Sequence, residues 1–157
     1  QLGWALAFLG IVMAFVFGFL TRLAIPRLGE HNAAIIGLLA GAAGFAGYAF
    51  ATQGWMMYPW MLVWSLMGLA MPTINGIISK HVPGNEQGEL QGALASIGGV
   101  TSIVAPVLLT SVFSYFTGAA TPIYFPGSAF LAAGVMLALA ALLIMRLDRE
   151  EVPQAAE

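Results

Sequence analysis

The fold of this chain is decided by 48 consecutive residues without a formal charge. Residues 32–79 read NAAIIGLLAGAAGFAGYAFATQGWMMYPWMLVWSLMGLAMPTINGIIS. Since a membrane-spanning helix needs about 20 apolar residues, this run has room for two. It breaks at Thr52-Gln53-Gly54, where a turn is expected. We therefore predict membrane-spanning helices at 34–51 and 57–79.

Two more uncharged runs flank this stretch. Residues 1–21 have room for one span, and residues 90–145 for two, separated by a turn between Thr117 and Gly127. The runs are long and do not alternate, which favours helices over β-barrel strands. Only 8% of the 157 residues are charged, against roughly 25% in a soluble domain. The sequence thus predicts an all-α integral membrane protein whose first to fifth spans lie at about 1–21, 34–51, 57–79, 90–115 and 126–145.

The charged residues form three clusters, and two predicted spans separate each cluster from the next. All three clusters therefore lie on one side of the membrane. They contain all five Lys and Arg residues, so the positive-inside rule places them, and the C-terminus, in the cytoplasm. Residue 1 is a Gln within an apolar span, with no initiator Met before it. We therefore expect a fragment of a longer protein with an upstream helix.

Several functions are disfavoured by what the sequence lacks. It has no Cys, and its formal net charge is −2, so neither a thiol metal site nor a nucleic-acid partner is indicated. The five predicted spans contain no Asp, Glu, His, Lys or Arg. They therefore offer no proton carrier and no base or metal ligand for a membrane-embedded enzyme. We expect no enzymatic activity, no cofactor and no metal.

The third span carries the surface most suggestive of ligand binding. Large side chains recur at spacings of 4, 3, 4 and 4, which predicts one shared helical face: Trp60, Trp64, Met67, Met71 and Asn75. Met and aromatic groups suit loosely specified apolar ligands. The alternative, that this face simply meets lipid, stays open. On an adjacent face, Gly68 and Gly76 would permit close packing.

Small residues recur at helix-packing intervals on two other spans. Gly37, Gly41 and Gly44 follow one another on the second span, and Gly88, Gly92, Ser96 and Gly99 do so on the fourth. Such stripes let helix backbones approach closely in lipid. We therefore predict close helix contacts along both stripes.

The connecting segments resemble those of a known family. Gln87-Gly88-Glu89-Leu90-Gln91-Gly92, followed by Thr101-Ser102-Ile103-Val104 and Pro106, resembles the start of helix 11 in tetracycline exporters of the major facilitator superfamily. Ala49-Phe50-Ala51-Thr52 with Gly54-Trp55-Met56 resembles their helix 9 to helix 10 connection. Pro26-Arg27-Leu28-Gly29 resembles a degenerate copy of the superfamily's cytoplasmic loop motif.

The resemblance implies that the five spans are helices 8 to 12 of a twelve-helix fold, with residues 1–157 as part of a C-terminal six-helix bundle. It implies export of a small-molecule drug by proton antiport across the bacterial inner membrane, as in tetracycline resistance. The third span would line the cavity. The family's helix 8 His and helix 9 Asp align with Met13 and Gly41, so a more apolar drug is expected.

The predicted substrate-binding residues are Trp64, Met67, Met71, Asn75, Met13, Phe17 and Gln91. Two alternative functions stay open. One is a metabolite carrier of the same superfamily, and the other is a non-transporting membrane scaffold subunit. An acidic residue within an upstream span would favour the transporter.

Overall fold

The computed structural model describes residues 2–118 and 121–151, and these residues form helices without any strand. The second span is one α-helix, Glu30–Phe50, and the fifth is another, Ser128–Glu151. The fourth is the α-helix Gln87–Thr117, preceded by a 3₁₀ turn at Gly84–Glu86. All five spans have helices long and apolar enough to cross a membrane, which confirms the predicted all-α membrane fold.

The first and third spans each change their winding midway. The first comprises the α-helix Leu2–Phe15, a π-helical turn Val16–Leu20 and the α-helix Thr21–Leu28. The third begins with a 3₁₀ turn, Gly54–Met56, and continues as the α-helix Met57–Ser65. A second 3₁₀ turn, Leu66–Leu69, then leads into the α-helix Ala70–Lys80. The 3₁₀ turn Leu66–Leu69 lies well inside the uncharged run 32–79, whereas the π-helical turn lies near the end of the run 1–21.

The turn between the first two spans is far shorter than the charge pattern predicts. The predicted spans leave residues 22–33 between them, yet helix is present on both sides of Gly29 and only Gly29 separates the two helices. Gly29 has φ 80°, a left-handed conformation that glycine adopts without steric cost. Its N–H donates to the Ile25 carbonyl at 3.0 Å, and its carbonyl accepts from Ala33 N–H at 3.0 Å. One residue therefore reverses the chain and leaves Arg27 and Glu30 at helix ends.

The spans pack in a row whose order differs from their order in the chain. The second span lies at the centre and packs on both the third and the fifth. The first span packs chiefly on the third, and the fourth chiefly on the fifth. The row therefore runs first, third, second, fifth, fourth. A small core of Leu38, Ala70 and Ala141 joins the three central spans.

Glycines allow the second span to occupy the centre. A Cβ added at Gly37 would lie 2.9 Å from the Ala70 nitrogen, and one at Gly44 would meet the Trp64 backbone. Farther along the same face, Gly47 lies against the Trp60 ring. These close approaches confirm the close packing predicted for the stripe of Gly37, Gly41 and Gly44.

The second predicted stripe behaves differently. No atom of the described residues lies within 4 Å of where a Cβ would stand on Gly88, Gly92 or Gly99. The described part of the fourth span has no buried residue. The prediction of a close helix contact there is wrong for the described residues. The same holds for Gly76 on the third span, which also faces open space.

Candidate functional site

The winding of the third span changes just before Pro72. Proline has no N–H to donate to the carbonyl four residues earlier, and its ring crowds that carbonyl. In this span the affected carbonyl belongs to Gly68, inside the 3₁₀ turn Leu66–Leu69. Two buried hydroxyls hold the ends of the turn. Ser65 donates to the Leu62 carbonyl at 2.7 Å, and Thr73 donates to the Leu69 carbonyl at 2.5 Å.

This turn divides the predicted ligand-binding face into two parts. A 3₁₀ helix advances about 120° per residue and an α-helix about 100°, so four residues add a rotation of roughly 80°. Before the turn, Trp60 and Trp64 face the second span, as does Met67 within it. After it, Met71 is 59% exposed and Asn75 is exposed. The expectation of one continuous face is therefore wrong beyond Met67.

Trp64 and Met67 serve as packing side chains between spans. The Met67 sulfur and the Leu137 Cδ1 each lie 3.0 Å from the position that a Gly41 Cβ would take. The Trp64 ring meets Phe45 edge-on, with ring centroids 6.0 Å apart. Its Nε1 is buried and has no hydrogen-bond partner among the described residues. Both residues are only partly exposed, and contacts between spans cover much of each side chain.

Gly41 is the position at which the resemblance to tetracycline exporters implies an Asp. Met67 and Leu137 fill the space that a side chain at Gly41 would occupy. A carboxylate at this position would therefore have to displace an apolar contact between three spans. Met67 can therefore pack inward because residue 41 is a Gly, which leaves space for it.

The first span meets the third where both are irregular. The π-helical turn Val16–Leu20 lies against the 3₁₀ turn Leu66–Leu69. Val16 is buried, and the Phe17 ring lies 3.4 Å from where a Gly68 Cβ would stand. Phe17 itself remains 51% exposed. The predicted residue Met13, one turn earlier, is half-buried.

The structure therefore groups some of the predicted residues and separates others. Phe17 lies beside Gly68. On the third span, Met71 comes one helical turn after Gly68, and Asn75 comes one turn after Met71. Gln91 is exposed on the fourth span, at the far end of the row from the first. Of the seven predicted residues, Phe17, Met71, Asn75 and Gln91 are exposed. We call Phe17, Met71 and Asn75, on the first and third spans, the Met71 surface.

The sequence predicts one of the two irregular regions in part. Pro72 removes a backbone donor within the third span and so predicts a kink there, but not the 3₁₀ winding at Leu66–Leu69. For the π-helical turn we find no comparable signal in Val16–Leu20. After the turn, Thr21 donates its hydroxyl to the Val16 carbonyl at 2.8 Å.

Known proteins are similar in sequence to this chain. The chain is 39% identical to the tetracycline resistance protein, class C, of Escherichia coli over 114 residues, 73% of this chain and 29% of that protein. It is 38% identical to the class G protein of Vibrio anguillarum over 117 residues, 74% of this chain and 30% of that protein. The class H protein of Pasteurella multocida is 26% identical over 155 residues, 99% of this chain and 38% of that protein.

The chain spans about three tenths of the length of the first two relatives. No solved structure gives a significant match. The sequence profile of the Major Facilitator Superfamily matches residues 1–157. That match covers the entire chain and agrees with five membrane-spanning helices, so the chain belongs to the Major Facilitator Superfamily.

Proposed function

We propose that this chain forms helices 8 to 12 of a transporter that exports a drug from a bacterial cell by proton antiport. The chain would then be part of a C-terminal six-helix bundle, in the inner membrane, with its C-terminus in the cytoplasm. The similarity to tetracycline resistance proteins carries the proposal. Those relatives are much longer, so the complete transport path and the proton-coupling groups would include chain outside these residues.

The exposed end of the row supports this arrangement. The fourth span has no buried residue among those described, and its small-residue stripe faces open space. In lipid, such stripes favour contact with another helix. A second bundle packed there would cover the stripe and complete a path between two halves, as alternating access requires.

The Met71 surface supports an apolar substrate. Met71 offers a flexible, polarizable thioether, Phe17 an aromatic ring, and Asn75 an amide that could orient a ligand by hydrogen bonding. None of these three groups is ionisable. The substrate would therefore be an amphipathic drug, more apolar than a tetracycline–metal chelate.

The test uses the full-length transporter expressed in a drug-sensitive bacterium. Expression should raise resistance to an exported drug, and Met71→Ala or Asn75→Ala should lower that resistance while membrane expression stays normal. Loss of one contact worth ~1 kcal/mol corresponds to about fivefold weaker binding. Met136→Ala is the matched control, because Met136 is 57% exposed on the fifth span, away from this surface.

Two results would count against the proposal. If expression of the intact transporter left drug resistance unchanged, drug export would be contradicted. Wild-type export by both Met71→Ala and Asn75→Ala, for every drug that the transporter handles, would mean that this side of the third span meets lipid only.

A further inference from the structure

A groove of about 540 Å³ lies between the fourth and fifth spans. Its lining includes Leu108, Val112 and Phe116 of the fourth span and Ser128, Ala132 and Val135 of the fifth. We call it the Ser128 groove. Leu108 and Val135 are exposed, so the groove is open to whatever surrounds the bundle. None of the Met71 surface residues lines it.

Two backbone hydrogen bonds join the walls of the groove at one end. The Phe125 N–H, in the connection between the two spans, donates to the Phe116 carbonyl at 3.0 Å. The Ser128 N–H then donates to the Phe125 carbonyl at 3.1 Å. Together these bonds hold the start of the fifth span beside the last turn of the fourth.

The groove is apolar except for one hydroxyl. Among the described residues that line it, only Ser128 has a polar side chain. Ser128 is 5% exposed, and its Oγ has no hydrogen-bond partner among the described residues. A buried hydroxyl without a partner is destabilising, so this group lacks an acceptor. Rotation about its Cα–Cβ bond, between staggered rotamers, is the movement that would turn the hydroxyl toward an occupant of the groove.

The length of the groove is close to the depth of one bilayer leaflet. Phe116 follows Leu108 by eight residues, which is about 12 Å along an α-helix. The hydrocarbon core of a bilayer is about 30 Å thick, so one leaflet contributes about 15 Å. Ser128 is the first residue of the fifth span's helix, at the level where hydrocarbon meets the headgroups. The groove therefore starts at that level and runs toward the bilayer centre, as a lipid acyl chain does.

We propose that the Ser128 groove binds one acyl chain of a bilayer phospholipid, whose ester carbonyl accepts a hydrogen bond from the Ser128 hydroxyl. A volume of about 540 Å³ is within the usual range for sites of small organic ligands. The acyl chain covers the apolar side chains of both walls, and the ester supplies the acceptor that Ser128 lacks. Neither contact involves a charge, so the headgroup is not selected. The inference does not require drug export.

Two phospholipids that differ only in their linkages test the hydrogen bond. Dipalmitoyl phosphatidylcholine has ester carbonyls, and its diether analogue, dihexadecyl phosphatidylcholine, has none. Each would be titrated into the purified full chain in detergent, and binding of the first lipid molecule would be followed by native mass spectrometry. We expect the diester to bind about fivefold more tightly, the ratio that corresponds to one ordinary hydrogen bond. Equal affinity of the wild-type chain for the two lipids would overturn the proposal.

A serine variant then locates the hydrogen bond. Ser128→Ala removes only the hydroxyl, so it should bind the diester and the diether equally. Ser111→Ala is the matched control, because Ser111 is exposed on the fourth span outside the groove, and its hydroxyl donates to the Val107 carbonyl at 2.7 Å. The control should keep the fivefold preference for the diester. A preference that persists in Ser128→Ala would contradict the assigned contact.

An alanine variant tests the groove itself. Ala132→Leu would fill part of it and should weaken binding of both lipids at least fivefold. Ala95→Leu is the control, because it adds the same atoms at an exposed position outside the groove. Wild-type lipid binding by Ala132→Leu would contradict the location. If the same spectra showed a dimer that Ala132→Leu dissociates while lipid binding is unchanged, the groove would be an interface between two copies of the chain, and the proposal would be wrong. Ser128→Ala decides the question alone if Ala132→Leu does not fold.

Discussion

Gly37, Gly41 and Gly76 illustrate how differently a single residue type can be used within one bundle. A Cβ at Gly37 would lie 2.9 Å from the backbone nitrogen of Ala70, which cannot move without shifting the third span. At Gly41 the nearest atoms are the ends of Met67 and Leu137, both 3.0 Å away and both flexible. At Gly76 nothing described lies within 4 Å. Steric cost should therefore fall in that order.

Alanine substitutions at these three glycines test that order. We expect Gly37→Ala to lower the free energy of unfolding by about 1–3 kcal/mol, the usual cost of overpacking. Gly41→Ala should cost less, because the neighbouring side chains can rotate away. Gly76→Ala should be neutral or slightly stabilising, since Ala exceeds Gly in helix propensity by up to ~1 kcal/mol. Thermal unfolding in detergent, followed by Trp fluorescence, provides the measurement.

The Gly76 variant is also the internal control for this series. All three substitutions add the same methyl group to a helix, so any general effect of the change is shared. If Gly76→Ala were as destabilising as Gly37→Ala, open space beside Gly76 could not describe the chain in solution.

Among the helices, the C-terminal end of the third span is held by two kinds of contact. Lys80 pairs with Glu30 of the second span at 2.6 Å, with the side chains 65% and 35% exposed. Gln87, at the start of the fourth span, donates from its amide nitrogen to the Ser79 and Val82 carbonyls, each at 2.8 Å. Water screens the attraction between Lys80 and Glu30. The Gln87 amide, in contrast, supplies hydrogen bonds to two backbone carbonyls near a helix end.

Gln87→Leu should therefore destabilise the chain more than Glu30→Gln. Loss of two hydrogen bonds corresponds to about 1–2 kcal/mol, and loss of an exposed ion pair to less than ~1 kcal/mol. The effect of Glu30→Gln should also shrink at high salt. Gln91→Leu is the matched control, one turn farther along the fourth span and exposed. Thermal unfolding of the four proteins at two salt concentrations would rank them.

A larger loss from Glu30→Gln than from Gln87→Leu would contradict this ranking. It would mean that the ion pair is shielded from water far better than its exposure indicates.

The sequence predicted which segments are helical, but not how each is wound. Charge-free runs and their breaks locate five spans, because charged side chains are costly in lipid and backbone N–H and C=O groups there must be hydrogen-bonded within the protein. The 3₁₀ turn at Leu66–Leu69 depends on Pro72 together with tight packing against Gly41 and Gly44. Such packing is a property of neighbouring spans, which a periodic pattern within one span does not contain.

The same reason explains what could be predicted of the candidate site. The choice of the third span rested on residue types, and the structure does expose Met71 and Asn75 there. Trp64 and Met67 share a face with Met71 and Asn75 only if α-helical spacing continues through residues 66–69, where the structure has a 3₁₀ turn. The role of all seven predicted residues in binding a substrate stays a prediction.

For the whole molecule, the predicted orientation follows from the positions of its basic residues. Thr52 lies in the connection between the second and third spans, and Asn85 in that between the third and fourth, and both are exposed. The chain has no Cys. Thr52→Cys should react with a membrane-impermeant thiol reagent in intact cells, and Asn85→Cys should react only after the membrane is opened. Labelling of Asn85→Cys from outside would reverse the proposed orientation.

The packing order of the spans also has a consequence for biosynthesis. The fourth span packs chiefly on the fifth, which is made after it: Glu151 follows Thr117 by 34 residues. At roughly 5–20 residues per second, ribosomes need on the order of seconds to supply that partner. During this interval the side of the fourth span that will meet the fifth span lacks its partner. Membrane insertases or chaperones would find it in that state, and quality-control proteases would too if elongation stalled.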